Sequence, residues 1–185
     1  MKVKTDDAYF DPALQALGVL DWTLVRIVFN VRARTAKALR RDLGQAGIAV
    51  PESIMESAKW RRSFYGALSV ANHNGGFLGL LSDRLFELGY AQNAIRDAVN
   101  CFKQDVATLC ADVQAAVARE LRRDLESNGV RVPRSVLASA EWQHVFARGE
   151  VRLPPGAASI VQNGTDDPLF PPVQASSTFN PTKPS

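Results

Sequence analysis

The sequence predicts an all-α protein: an antiparallel helical bundle containing a duplicated helix-loop-helix unit, with an extended Pro-rich C-terminal tail. Three observations carry that expectation. Apolar residues recur at helical spacing from about residue 20 to 150, a 29-residue block returns 82 positions later, and seven of the ten prolines gather between Pro154 and Pro184. Period, self-similarity and a break in composition are independent signals. The implied organisation is an N-terminal arm over 1–19, a bundle over 20–150 with repeat copies at about 20–64 and 102–146, and a tail over 151–185.

The repeat is the sharpest of the three. Residues 36–64 align without a gap onto 118–146 with fourteen of twenty-nine positions identical. The shared pattern runs Leu39-Arg40-Arg41-Asp42-Leu43, Gly47, Val50-Pro51, Ser53, Ser57-Ala58, Trp60 and Phe64, and returns as Leu121-Arg122-Arg123-Asp124-Leu125, Gly129, Val132-Pro133, Ser135, Ser139-Ala140, Trp142 and Phe146. Each helix bearing the Leu-Arg-Arg-Asp-Leu run ends at a glycine suited to a left-handed cap. Val-Pro then holds the chain extended and presets φ for a new helix. Trp60 with Phe64, and Trp142 with Phe146, fall at i, i+4 on one face, which is read as core.

Upstream, Leu20, Leu24, Ile27, Val28 and Val31 match Phe102, Val106, Leu109, Cys110 and Val113 at the same offset, lengthening the unit to about 45 residues. Between the copies, residues 77–88 read as a short helix entered through Gly75-Gly76 and closed by Gly89. From Gln92 to Asn128 neither Pro nor Gly interrupts the pattern, so one helix of up to roughly 55 Å is expected. No counterpart of the middle helix is evident after the second copy, which makes the duplication incomplete and leaves the tail in that place.

Composition narrows the function classes. The chain is 46% hydrophobic and 22% charged with a net charge of +3, ordinary values for a folded globular protein. The start turns acidic at Asp6-Asp7 where a secretory signal would become apolar, and no window of eighteen residues suits a membrane span. Cys101 and Cys110 stand nine apart, on opposite sides of a helix, and cannot pair. A cytoplasmic protein without membrane contact is expected, with the sequon Asn163-Gly164-Thr165 unglycosylated.

For chemistry, the helix from about Asp21 to Gln45 stands out. It carries Arg26, Arg32, Arg34, Lys37, Arg40 and Arg41, with no acidic residue between Asp21 and Asp42, and residues 22–65 net +6. On a helical wheel Arg26, Arg34, Lys37 and Arg41 cluster opposite Leu24, Val28, Val31 and Leu39. With Arg40, Arg61 and Arg62 they form the candidate nucleic-acid-binding set. The competing reading is a solvated face whose charges pair with Glu52, Glu56 or the acidic N-terminal segment. Arg40-Arg41-Asp42 and Arg122-Arg123-Asp124 lie at helix C-termini, where Arg–Asp pairs could staple the two copies together.

Other motifs are weaker. Glu141 and His144 have the spacing of di-iron bundle ligands, but Lys59 and Arg62 occupy those positions in the first copy, so no metal and no cofactor are expected. His73-Asn74-Gly75-Gly76 reads as an interhelical turn, and neither a nucleophile elbow nor a phosphate-binding loop occurs. No catalytic residue is assigned. In the tail, Asp166 to Pro172 resembles a short linear docking peptide, with Asp167, Leu169 and Phe170 as partner-binding candidates.

The expectation is therefore a non-enzymatic assembly or scaffold protein, packing against copies of itself or a larger complex and presenting its Arg-rich helix to nucleic acid. A nucleoprotein subunit and a helical coat-like protein both fit. The alternative is an adaptor or regulator that docks a partner through its tail, and an enzyme ranks third.

Overall fold

The computed structural model describes residues 12–66 and 73–164, and there the protein is all-α with no strand. Eight helices follow in order: α1 Pro12–Gln45, α2 Glu52–Met55, α3 Arg61–Tyr65, α4 His73–Glu87, α5 Gln92–Ser127, α6 Arg134–Leu137, α7 Ala140–Ala147 and α8 Pro155–Asn163. The long helices α1 and α5 pack against each other, α3 lies on α1, α7 on α5, and both α4 and α8 touch the two long helices. At 36 residues α5 is about 54 Å long, the single helix that its unbroken pattern implies.

The 82-residue offset reappears in the architecture. α1 and α5 end at Gln45 and Ser127, and α2 and α6 share both bounds at that shift. Gly47 and Gly129 adopt φ of 75° and 77°. The amides of Ile48 and Val130 then donate to the carbonyls of Leu43 and Leu125 at 2.8 and 2.9 Å, closing both long helices in the same left-handed cap. The Ser57 and Ser139 hydroxyls donate to the Ile54 and Val136 carbonyls at 2.7 and 2.9 Å. Trp60 meets Phe64 with ring centroids 6.3 Å apart, and Trp142 meets Phe146 at 5.9 Å.

The same correspondence orders the core. Ala36, Leu39 and Leu43 are sealed from solvent, as are Ala118, Leu121 and Leu125, their partners at the offset. Val50 with Val132, Ile54 with Val136, and Trp60 with Trp142 complete a single apolar cluster around α1 and α5. Burying a Leu or Trp side chain contributes about 1.5–3 kcal/mol each, so these matched positions hold the two halves together.

Four expectations need correction. Residues 12–19, assigned to an arm, belong to α1, which begins at Pro12, a residue suited to the first helical turn. His73-Asn74-Gly75-Gly76 is no turn, since α4 starts at His73 and takes both glycines into its first turn. The extended tail does not begin at 151. Residues 155–163 form α8, with Pro155 presetting φ at its start, Gly164 in the left-handed region at its end, and Ala157, Ile160 and Val161 buried along one stripe.

Finally, a helix does follow the second copy. α8 begins 82 residues after α4, so the eight helices among the described residues fall into two runs of four, long, short, short and closing. The closing helices escaped sequence comparison because only contact with α1 and α5 constrains them. Leu78 and Ile160 are a matched apolar pair at the offset among otherwise unlike neighbours.

Candidate functional site

The repeated motif proves to be a reciprocal fastening. The Trp142 indole Nε1 donates to Asp42 Oδ2 at 2.7 Å, and the Trp60 indole Nε1 donates to Asp124 Oδ2 at 2.6 Å. Each aspartate thus binds the tryptophan of the other half. Arg41 bridges its neighbour Asp42 at 2.7 Å and Glu141 across the halves at 3.1 Å. Lys59 spans Glu120 and Asp124, both at 2.7 Å. The hydrogen bond from Arg41, aided by that from Trp142, holds the Asp42 carboxyl below its ordinary value against the opposing effect of burial. The bonds of this fastening run from indole to aspartate and from Arg41 or Lys59 to glutamate or aspartate, rather than between the two Arg-Arg-Asp runs.

This fastening divides the basic stripe. Lys37 turns its ammonium to the Gly66 carbonyl at 2.8 Å, at the end of α3, and Arg62 lies 4.6 Å over the Phe29 ring. Arg26 is half-buried. Arg41 is exposed, and its bonds to Asp42 and Glu141 raise its already high pKa. By contrast Arg34, Arg40 and Arg61 are exposed and make no ion pair among the described residues. The pairing with Glu52 or Glu56 that the competing reading offers is not formed, both glutamates being exposed, and the acidic N-terminal segment lies outside the described residues.

Arg32, which the sequence reading counted among the helix's cations but left out of the stripe, lies in the core. It is 1% exposed. Its Nε donates to the Ser63 hydroxyl at 2.9 Å, one terminal nitrogen to the carbonyls of Ile160, at 2.8 Å, and Val161, and the other to the Lys59 carbonyl at 2.7 Å. The guanidinium also sits 4.2 Å from the Trp60 ring centre, a cation–π contact in a dry site. Burial pulls its pKa down to about 10, opposed by Glu120 and Asp124, so it remains charged at neutral pH. A cation at the carbonyl end of a helix satisfies orphan acceptors and the helix dipole together, and Arg32 does this for α8.

Gly164 completes the seat. A Cβ there would lie 2.1 Å from the Lys59 carbonyl oxygen, and its φ is +60°. The hint in the sequence was position: Arg32 lies on the side of α1 shared by Val28, Ala36 and Leu39, and its counterpart in the second half is Gln114.

Other candidates fare variously. Glu141 and His144 are both exposed, and no group of three or more His, Cys, Asp or Glu among the described residues could hold a metal ion. Cys101 and Cys110 are free thiols. No helix among the described residues is long and apolar enough to cross a membrane. Asp167, Leu169 and Phe170 lie outside the described residues. One feature had no place in the sequence reading: Phe86, Leu88 and Tyr90 stand 71%, 74% and 55% exposed at the corner between α4 and α5. Comparison with family models, with curated proteins and with solved structures gave no match for this chain.

Proposed function

We propose that this protein is a non-enzymatic helical assembly subunit that presents a basic edge of α1 and α3 to a polyanion, nucleic acid being the chemistry that fits. The observation that supports this most is the contrast among neighbouring cations. Lys37, Arg41 and Arg62 are engaged within the fold, whereas Arg34, Arg40 and Arg61 project into solvent without an ion pair among the described residues. Three exposed guanidinia without an ion pair among the described residues are suited to phosphate, where Arg binds through a planar fork.

The magnitude is testable. Three phosphate contacts give a slope of about −2.7 in log affinity against log salt, so binding to a labelled duplex or single strand should weaken about forty-fold between 50 and 200 mM salt. Charge reversal at Arg34, Arg40 and Arg61 should abolish binding and leave the thermal melt in place. Salt-insensitive binding, or an equally tight triple variant, removes the nucleic-acid reading.

A second reading, a protein-binding adaptor, draws support from the exposed corner at Phe86, Leu88 and Tyr90. Side chains of that size exposed together are more characteristic of a protein-contact site than of idle surface. Replacing Phe86 and Leu88 by Ser should eliminate partner capture on that reading and leave polyanion binding unchanged.

A further inference from the structure

We infer that α8 is an exchangeable arm: the seat formed by Arg32, Ser63 and the Lys59 carbonyl accepts α8 of a second copy of this chain as it accepts its own. The inference rests on the assembly reading and names the element through which copies would join.

Four observations carry it. First, the polar recognition is of main-chain groups. Arg32 grips the carbonyls of Ile160 and Val161, and Gly164 approaches the Lys59 carbonyl as only a residue without Cβ can. Such contacts are the same whichever chain supplies the helix.

Second, α8 commits few large side chains to the body. Ala157, Ile160 and Val161 are its buried residues, three apolar side chains of small to medium size.

Third, its tether suits exchange. Residues 148–154 form no helix or strand, and the tether ends in Pro154-Pro155, which holds the preceding backbone extended. Seven extended residues reach up to about 24 Å, enough to cross to a neighbour. Along the tether Arg148 pairs with Asp112 and Arg119 donates to the Gly149 carbonyl, both near the α7 end. The stretch closest to α8 has no such bond among the described residues and is held by Leu153, which packs against the core.

Fourth, the seat is one-sided. α4 occupies the corresponding place in the first run but is tied to α5 by the short turn at 88–91, and Gln114 stands where the second run would need an arginine. Each chain therefore offers one arm and one seat. That arrangement closes as a reciprocal dimer or propagates as an open chain, depending on the geometry of the tether.

The test uses the full-length chain. Deleting Gly149, Glu150 and Val151 removes about 10 Å of reach and leaves both arm and seat intact. The expected product is a dimer or longer assembly by native mass spectrometry, with the amides of 155–163 still protected from exchange. A monomer, with α8 protected or unprotected, overturns the inference.

A second experiment mixes Gly164→Trp, whose arm is barred but whose seat remains, with isotope-labelled Arg32→Met, whose arm remains but whose seat is lost. Each alone should be monomeric. The mixture should give a one-to-one pair in which α8 of the Arg32→Met chain regains protection. No pairing overturns the proposal. Association of each variant with itself, as strong as in the mixture, also overturns it but leaves assembly through another face standing.

Discussion

Gly164→Ala is the substitution whose cost can be worked most closely, because two other glycines serve as internal controls. Gly47 and Gly129 have φ of +75° and +77° with nothing within 4 Å of a built Cβ. Alanine at either position meets only the left-handed backbone penalty, about 1–2 kcal/mol. For a domain of this size that lowers Tm by roughly 2–8 °C.

At Gly164 the same backbone penalty is joined by a collision, with the Cβ 2.1 Å from the Lys59 carbonyl oxygen and 2.9 Å from its carbon. Both are main-chain atoms, so no rotamer change relieves the contact. The end of α8 must lift, and with it go the Arg32 bonds to Ile160 and Val161. Hydrogen bonds from a charged donor contribute about 1.5–3 kcal/mol each, so roughly 3–6 kcal/mol of local stability is at stake.

Hydrogen exchange read by mass spectrometry separates this local loss from global unfolding. Residues 155–163 should exchange about two to four powers of ten faster, limited by the rate of the free helix, while segments around Leu39 and Leu121 keep their protection. Gly47→Ala and Gly129→Ala should spread a smaller effect over the whole molecule. If Gly164→Ala proves no worse for α8 than those two, the close seating of α8 on Lys59 is refuted.

Two further outcomes follow from the same geometry. Arg32→Met leaves the Ser63 hydroxyl and three carbonyls without their donor, at about 1–3 kcal/mol for each group kept dry. α8 should therefore become unprotected while circular dichroism still reports a folded helical body; unchanged α8 protection would contradict the role given to Arg32. For Asp42, the folded-state carboxyl lies below its unfolded value, so the stability it adds is present above about pH 4 and lost as pH falls through the lowered value. Asp42→Asn should be less stable at neutral pH and show a shallower acid limb in urea titrations, whereas an unchanged limb would mean that Asp42 is not the group being titrated.

How much could be read from the sequence depended on whether local or long-range physics set the element. The left-handed caps at Gly47 and Gly129, the Val-Pro turns and the i, i+4 Trp–Phe pairs are local features, and the structure carries them at both copies. Asp42 and Asp124 looked like helix-terminal charges because their partners, the indoles of Trp142 and Trp60, lie 100 and 64 residues away. Arg32 was grouped with the other arginines by type, yet its position opposite Arg34 and Arg41 on the wheel already set it toward the core. α8 was submerged in proline-rich composition, although Pro at its start and Gly at its end are ordinary helix punctuation. Of the basic set, Arg34, Arg40 and Arg61 are left to solvent, whereas Lys37 and Arg41 are bonded within the fold.

The indole region of a ¹⁵N-correlated proton spectrum addresses the crossed fastening most directly, since the chain has three tryptophans and hence three indole N–H signals. Trp60 and Trp142 should give slowly exchanging, downfield-shifted signals. Asp42→Asn should move the Trp142 signal and spare that of Trp60, while Asp124→Asn does the reverse. If each aspartate instead perturbs the tryptophan of its own copy, or neither, the two halves are not joined as described.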